Sequence, residues 1–191
     1  MSLYLIILAA GNSQRLKSNT PKPFQLINNK TLLEHTLNAF ENIDEIKKTI
    51  IVYNKKHKKY LKKLTLKNTI KVVGGKTRQE STFIALKKAK SMKCNKVLIH
   101  DSARPNPSKK MIDKIIVELK KNNAVIPIIK VNDATKRVKK NIIFKNILRD
   151  SLRFSQTPQG FTFNEIYKKH VNNVRGTFDD DAALFNLNDK K

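Results

Sequence analysis

The chain has 191 residues, 39% of them apolar, which is enough to bury the core of one domain. Its formal net charge is +25, but 33 of its 40 basic residues are lysines spread over most segments. We interpret that charge as a solvated lysine surface rather than a dedicated nucleic-acid surface, while steering of anionic substrates stays open. The sequence predicts no membrane span and no secretory signal, and its single cysteine, Cys94, excludes a disulfide framework and favours a reducing cytoplasm.

The first predicted strand is the apolar run at residues 3–8, which ends at Ala9-Ala10-Gly11. Small residues at the end of a buried strand leave the backbone bare, so that a base or a phosphate can approach it closely. Arg15 and Lys22 follow as two cations, and the prolines on either side of Lys22 stiffen the backbone that carries it. This stretch suits a nucleoside triphosphate.

Strands and amphipathic helices then alternate along the chain. Further strands are predicted at 48–53, 69–73, 96–99 and 124–131, and helices at 31–40, 57–66, 79–92, 107–121, 164–171 and 180–187. Thr31, with Glu34 three residues later, is typical of a helix capping box. The alternation predicts an α/β fold with a doubly wound, mostly parallel sheet, whose strands are covered on both faces.

The alternation lapses at about residues 132–145, where a polar stretch separates Val138 from the apolar run 142–144. We interpret this segment as a protruding β-hairpin arm outside the main sheet. Residues 147–161 show no clear period. Because no repeat or linker-like stretch interrupts the chain, we expect residues 1–191 to form a single domain.

Residues able to carry chemistry follow four of the predicted strands. They are Ala9, Ala10, Gly11 and Arg15; Gly74, Gly75, Arg78 and Ser81; His100, Asp101, Ser102, Ala103, Arg104 and Pro105; and Asp133, Thr135 and Lys136. Open α/β sheets bind ligands at the carboxyl ends of their strands, so the four clusters predict one shared site. Each cluster alone is weak evidence, and none of them is a P-loop.

The acidic residues and histidines among these clusters allow more than one interpretation. Asp101 could hold Mg²⁺ or a sugar hydroxyl, or it could form a local salt bridge with Arg104. We interpret His100 as a packed, structural histidine rather than a general base. The acidic run 179–181 is best explained as the negatively charged start of a helix, although its last two carboxylates could reach a site.

Six motifs occur in an order that resembles the 2-C-methyl-D-erythritol 4-phosphate cytidylyltransferase family of the non-mevalonate isoprenoid pathway. The resemblance covers nearly the whole chain, and it implies a fold of the nucleotide-diphospho-sugar transferase type. The motifs are Leu8-Ala9-Ala10-Gly11 with Arg15, Pro21-Lys22, Gly74-Gly75 with Arg78 and Ser81, His100-Asp101-Ser102-Ala103-Arg104-Pro105, Asp133 with Thr135-Lys136, and Thr157-Pro158-Gln159 with Phe161.

The resemblance also implies roles for individual residues. Arg15 and Lys22 would be catalytic, by stabilising the transition state, and Asp101 would face the ribose and a Mg²⁺ or other divalent cation. Thr135 and Arg149 would hold the phosphate of the sugar-alcohol phosphate acceptor, and the arm would form a homodimer and complete the neighbouring site. The residues expected to bind CTP are Ala9, Ala10, Gly11, Gly75, Ser81, Asp101 and Ser102.

The chain departs from the family pattern at four places. Ser13 stands where many relatives have glycine, Pro23 where glutamine usually follows Pro-Lys, and Lys76 where an acidic residue is common. A further C-terminal strand, which carries an acceptor-binding lysine in the family, is expected after Lys191 and is missing. The chain is therefore expected to be a fragment, an atypically short form, a protein whose missing strand is supplied elsewhere, or the leading part of a fusion with a cyclodiphosphate synthase domain.

Three other interpretations remain open from the sequence. A ribitol-5-phosphate cytidylyltransferase would share the fold, the CTP and most of the motifs. A basic nucleic-acid-binding protein could use an inactive nucleotide fold, although we regard nucleic acid as the less favoured partner. The chain could also be a catalytically inactive truncation.

Overall fold

The computed structural model describes residues 2–11, 18, 20–64, 68–173 and 178–185. The strands are β1 Leu3–Ala9, β2 Leu26–Ile27, β3 Lys30–Thr31, β4 Ile46–Tyr53, β5 Thr69–Val73, β6 Lys96–Asp101, β7 Ala124–Val125, β8 Ile128–Lys130, β9 Thr135–Lys139, β10 Ile142–Ile147, β11 Arg153–Ser155 and β12 Gln159–Thr162. The helices are α1 Leu32–Asn38, α2 Lys58–Leu61, α3 Arg78–Lys90, α4 Lys109–Glu118 and α5 Phe163–Asn172.

The central sheet has six strands within these residues, in the order β5-β4-β1-β6-β12-β7. β1 pairs in parallel with β4 and β6, and β4 pairs in parallel with β5. Only β12 runs against its neighbours, β6 and β7. The predicted α/β class and mostly parallel sheet are therefore confirmed, and the parallel strands bring several carboxyl ends to one edge.

The core lies on both faces of this sheet. Leu5 and Ile7 of β1 pack on the face that α1 and α4 cover, while Ile6 packs on the face that α3 and α5 cover. All three side chains are fully buried. Each such side chain contributes about 1.5–3 kcal/mol to stability through burial, so β1 is fixed firmly beneath the residues that follow it.

Helix starts follow the capping chemistry of the sequence. The capping box predicted at Thr31 is confirmed, because its Oγ1 accepts a hydrogen bond from the backbone N–H of Glu34 at 3.1 Å and its own N–H donates to Glu34 Oε2 at 2.7 Å. The hydroxyl groups of Thr77 and Ser108 cap α3 and α4 by accepting from the backbone N–H of Glu80 and of Met111. No described helix has the length and apolar character that crossing a membrane requires.

The predicted fifth strand, 124–131, is wrong as a single element. Pro127 separates β7 from β8, since proline has no N–H to donate to a strand ladder. The carbonyl of Pro127 instead accepts a hydrogen bond from the backbone N–H of Gln156 at 2.9 Å. β8 leaves the main sheet and pairs with β11, and β12 occupies the place between β6 and β7.

The protruding hairpin is present as β9 and β10, which pair antiparallel. Lys140 and Asn141 form its turn with φ values of 47° and 64°, the left-handed conformation that suits a two-residue hairpin loop. Many apolar side chains of the hairpin and its surroundings are more than half exposed. They are Ile128, Ile129, Val138, Ile142, Ile143, Phe144, Leu148 and Phe154.

The helix predicted at 180–187 is wrong over its described part, which contains only the 3-10 turn Ala182–Leu184. Asp180 Oδ1 accepts from the backbone N–H of Ala183 at 3.0 Å, but the other oxygen of that carboxylate binds side chains far along the chain. The acidic run therefore ties distant segments together instead of starting a helix.

Candidate active site

A cleft of about 1220 Å³ lies at the carboxyl ends of β1, β5 and β6. Parallel strands end at the same edge of a sheet, so residues far apart in sequence meet there. The residues of the predicted clusters that line the cleft, joined there by Lys22, are Ala10, Gly11, Gly74, Gly75, Arg78, Ser81, Asp101, Ser102, Ala103 and Arg104. Arg15 lies outside the described residues.

The turn after β5 packs closely against the end of β1. A Cβ added to Gly74 would lie 2.6 Å from Ala10 Cβ and 2.8 Å from Ser81 Oγ, so this position requires glycine. The backbone N–H of Gly75 donates to Ser81 Oγ at 3.2 Å, which fixes the turn on the first residues of α3. The hydroxyl of Ser81 keeps its own hydrogen for a further bond.

The end of β1 presents backbone rather than side chains. Ala9 is fully buried in the core. Gly11 is exposed, and a Cβ added there would meet no atom of the described residues within 4 Å, so its backbone is open to approach from that side. This geometry agrees with the expectation that a flat or anionic group can approach the main chain here.

Lys22 starts a 3-10 turn, Lys22–Phe24, whose other two residues are buried. Phe24 is 3% exposed and stacks on Tyr60 of α2, with 5.2 Å between the ring centroids. The lysine lines the cleft from a backbone that aromatic packing anchors. Placement on an anchored turn agrees with the stiffness that the flanking prolines predict.

Asp101 is the last residue of β6, and its side chain is 33% exposed. Its Oδ2 lies 3.3 Å from Arg104 Nε and its Oδ1 lies 3.6 Å from Arg78 Nε. The local salt bridge between Asp101 and Arg104, one of the alternatives considered from the sequence, is therefore present. Asp101 nevertheless lines the cleft.

The donor set in the cleft suits a metal held mainly by a substrate. The described residues contain no group of three or more histidine, cysteine, aspartate or glutamate side chains placed to bind a metal. Magnesium commonly takes one or two carboxylates and completes its shell with phosphate oxygens and water. Asp101 could serve as such a carboxylate, whereas the described residues do not form a metal site made of protein ligands alone.

His100 is fully buried, and its Nε2 donates to the carbonyl of Arg104 over 2.8 Å. Its ring meets the edge of Phe40 at 5.0 Å between centroids. Burial lowers the pKa of His100, although the hydrogen bond to Arg104 and the charge of Asp101 act in the opposite direction. These contacts support a structural role, in which the neutral ring holds the chain as it leaves β6.

An ion-pair network around the buried Asp181, beside the cleft, was not predicted. Arg78 Nη1 donates to Asp181 Oδ2 at 2.7 Å, and His170 Nε2 lies 3.1 Å from Asp181 Oδ1. Burial by itself would raise the pKa of Asp181, but the bond from His170 and the charge of Arg78 outweigh burial and lower that pKa. The acidic run was the available signal, but partners up to 103 residues away leave no local pattern.

The two expected acceptor-binding residues do not line the cleft. Thr135 begins β9, where its hydroxyl donates to the carbonyl of Asp133 at 3.4 Å. Arg149 donates to the carbonyl of Asn132 at 2.7 Å and lines a separate cavity of about 470 Å³. The prediction that Asp133, Thr135 and Lys136 share the edge of the main sheet is wrong, because the chain leaves that sheet at Pro127.

The chain matches the family model described as IspD: 2-C-methyl-D-erythritol 4-phosphate cytidylyltransferase over residues 3–188. It is 42% identical over 185 residues to the bifunctional enzyme IspD/IspF of Pelagibacter ubique, covering 97% of this chain and 49% of that protein. It is 35% identical over 187 residues to the 2-C-methyl-D-erythritol 4-phosphate cytidylyltransferase of Bacillus cytotoxicus, covering 94% and 82%. The chain thus spans about half the length of the bifunctional relative.

Solved structures show the same likeness. The 4-diphosphocytidyl-2C-methyl-D-erythritol synthase of Anaerococcus prevotii superposes with a TM-score of 0.80 at 31% identity, over 96% of this chain and 82% of that one. The bifunctional IspDF of Campylobacter jejuni gives 0.82 at 30% identity, over 96% and 46%. The comparisons do not favour the ribitol-phosphate or nucleic-acid alternatives, and the chain belongs to the 2-C-methyl-D-erythritol 4-phosphate cytidylyltransferase family of nucleotidyltransferases.

Proposed function

We propose that this chain transfers CMP from CTP to 2-C-methyl-D-erythritol 4-phosphate, giving 4-diphosphocytidyl-2-C-methyl-D-erythritol and pyrophosphate in isoprenoid precursor synthesis. The observation that carries the proposal is the cleft at the ends of β1, β5 and β6. There the closely packed Gly74 turn, the anchored Lys22 and the carboxylate of Asp101 converge in a chain of this family.

The nucleotide would occupy the cleft against exposed backbone. Gly11 and Gly75 would offer main-chain groups, and Ser81 would donate its hydroxyl hydrogen while accepting from Gly75. Ala9 is buried, so it would contribute through its backbone alone, and Ala10 and Ser102 would form the wall. Asp101 would face the ribose and hold Mg²⁺, which would neutralise phosphate charge when bound.

The chemistry requires positioning and charge rather than a protein nucleophile. A phosphate oxygen of the acceptor attacks the α-phosphorus of CTP in line, the bond from that phosphorus to the bridging oxygen breaks, and pyrophosphate leaves. Lys22 would stabilise negative charge that builds on the phosphates in the transition state, together with Arg15. Lys22 is well suited to this role because its turn is held by packing.

The acceptor side would be completed by a second copy of the chain. Thr135 and Arg149 lie away from the cleft of their own chain, as they would if the arm served a neighbouring site. Ile142 is 69% exposed and Phe144 is 56% exposed, which is an unusual amount of apolar surface for one arm to leave in water. We therefore propose a homodimer formed through the arm.

Two further proposals concern the setting of the protein. We propose a cytoplasmic location, because a single cysteine is typical of proteins in a reducing compartment. That cysteine, Cys94, is free and buried, and burial raises the pKa of its thiol to about 12. We also propose that a longer form, if one exists, carries a second catalytic unit, as the bifunctional relatives do.

Release of pyrophosphate from CTP tests the main proposal. The purified chain is assayed with CTP and Mg²⁺ together with 2-C-methyl-D-erythritol 4-phosphate, with ribitol 5-phosphate, or with no acceptor. Release that depends on the methylerythritol phosphate supports the proposal. Release that is faster with ribitol 5-phosphate, or no release with either acceptor, contradicts it.

A further inference from the structure

We propose that Asp181 is a positioning residue of the nucleotide site, acting through Arg78 to hold the carboxylate of Asp101 at the mouth of the cleft. The inference rests on the proposed cytidylyl transfer, and it adds a residue that lies outside the cleft itself. Asp181 is 2% exposed and belongs to the segment 178–185, far in sequence from both Arg78 and Asp101.

Both oxygens of Asp181 are held in place. Oδ2 accepts from Arg78 Nη1 at 2.7 Å, and Oδ1 lies 3.1 Å from Nε2 of the buried His170. The His170 ring stacks on Phe83 of α3, with 5.9 Å between centroids and 8° between planes. Because α3 carries both Phe83 and Arg78, the carboxylate is fixed relative to the guanidinium that it binds.

Arg78 lies between two carboxylates. Its Nη1 contacts Asp181 at 2.7 Å, while its Nε lies 3.6 Å from Oδ1 of Asp101. A planar guanidinium presents donors in a fixed fork, so the stronger contact determines how the other donors point. The closer, more buried Asp181 therefore sets the position from which Arg78 faces Asp101.

Loss of the Asp181 charge would change the geometry at Asp101. Of the two carboxylates that contact Arg78, Asp101 would then be the one that keeps its charge, and the guanidinium would move closer to it. Asp101 would turn away from the ribose that we propose it faces, and CTP would bind less tightly. Lysine could not replace Arg78, because one ammonium group cannot present the same fork to two carboxylates.

The neighbouring Asp180 offers a matched control. It anchors the same segment, since its carboxylate accepts from Gln159 Nε2 at 2.8 Å and from Ser155 Oγ. Within the described residues its hydrogen-bond partners do not include Arg78, on which it acts through charge alone and less than Asp181 and Asp101 do. Asp180→Asn thus loosens the segment and removes a nearby charge while the bond between Arg78 and Asp181 stays in place, which separates these effects from the proposed one.

The test compares Asp181→Asn, Asp180→Asn, Arg78→Met and the double variant Arg78→Met/Asp181→Asn. For each, calorimetry gives the Kd for CTP with Mg²⁺, steady-state kinetics give KM and kcat, and thermal unfolding gives Tm. We expect Asp181→Asn to raise Kd and KM for CTP about tenfold, a difference of about 1.4 kcal/mol in binding. Asp180→Asn should change both by less than about twofold.

The double variant shows whether Asp181 acts through Arg78. In the Arg78→Met background, adding Asp181→Asn should change the Kd by less than about twofold, since the residue it acts through is already gone. An equal loss in Asp180→Asn, an unchanged Kd in Asp181→Asn, or a full further loss in the double variant would overturn the inference. If Asp181→Asn does not fold, the double variant still tests the inference, because it removes the ion pair as a unit. Its Kd for CTP is then compared with that of Arg78→Met alone, and a further loss overturns the inference.

The proposed function can fail separately from this inference. A wild-type chain that binds CTP but releases no pyrophosphate with the methylerythritol phosphate would overturn the proposed transfer. The CTP Kd values of the four variants would still report whether Asp181 positions the nucleotide site.

Discussion

The sheet edge and the arm are built by different means. Around the cleft, each side chain of interest stands on a strand end or turn that the core holds, as Lys22 does on buried Phe24. On the arm, β9 and β10 are supported mainly by each other, and most of their residues are exposed. The first region therefore offers fixed geometry within one chain, whereas the second leaves apolar side chains exposed, which the proposed dimer would cover.

Removal of the cleft lysine should have the largest effect. We expect Lys22→Ala to lower kcat by about 10²–10³-fold because a charge that acts in the transition state is lost. The fold should persist, since Pro23 and Phe24 carry the packing of that turn. Pyrophosphate release measures the rate, and the exposed Lys110→Ala is the control. Near-normal turnover by Lys22→Ala would rule out a catalytic role.

A leucine-to-alanine substitution should lower the free energy of unfolding much more in the core of the sheet than beside the arm. Leu98 of β6 is fully buried, so Leu98→Ala should lower the free energy of unfolding by about 2–5 kcal/mol. Leu148, beside the arm, is 83% exposed, and Leu148→Ala should cost less than about 0.5 kcal/mol at low protein concentration. Urea unfolding measures both values. Equal costs would contradict the contrast between core and arm.

Two glycines at the cleft should behave differently. Gly74→Ala forces a Cβ to within 2.6 Å of Ala10 Cβ, so we expect a loss of about 1–3 kcal/mol in stability together with weaker CTP binding. The Cβ of Gly11→Ala meets no atom of the described part of the chain within 4 Å, so this variant should leave the Tm nearly unchanged. Thermal unfolding and CTP calorimetry on both variants check this. A larger drop in Tm for Gly11→Ala would refute the packing argument.

The smallest effect on folding should come from the arm. Phe144→Asp places a charge on a side chain that is 56% exposed, so the Tm of the single chain should change by no more than a few degrees. If the arm joins two copies, the variant should be monomeric by light scattering and should keep its CTP affinity while losing turnover. A variant that stays dimeric, or a wild type that is monomeric, would refute the proposed dimer.

The elements of the fold that could be predicted are those determined by residues close to one another in the sequence. Residues 3–8 were recognised as a strand because a parallel strand buried on both faces is a continuous apolar run. The Thr31 cap was recognised because its partner is three residues away. β12 was missed, because a four-residue strand that includes a glycine has no periodicity to detect.

Prediction of the site was limited in the same way, by contacts between residues far apart in the sequence. Gly74, Gly75, Ser81 and Asp101 could be placed together because strand ends meet at one edge. The bond between Arg78 and Asp181 could not, because it joins residues 103 positions apart. The cluster Asp133, Thr135 and Lys136, which follows the predicted strand 124–131, was misplaced because Pro127 directs the chain out of the sheet.

Pro127 also has a consequence for association. Ending β7 at Val125 leaves the sheet with an edge strand of only two residues in the part of the chain that the structure describes. A strand this short exposes few unpaired backbone groups, so it is a poor template for another chain to extend by β-pairing. The break that removes the arm from the sheet thereby also protects that edge against aggregation.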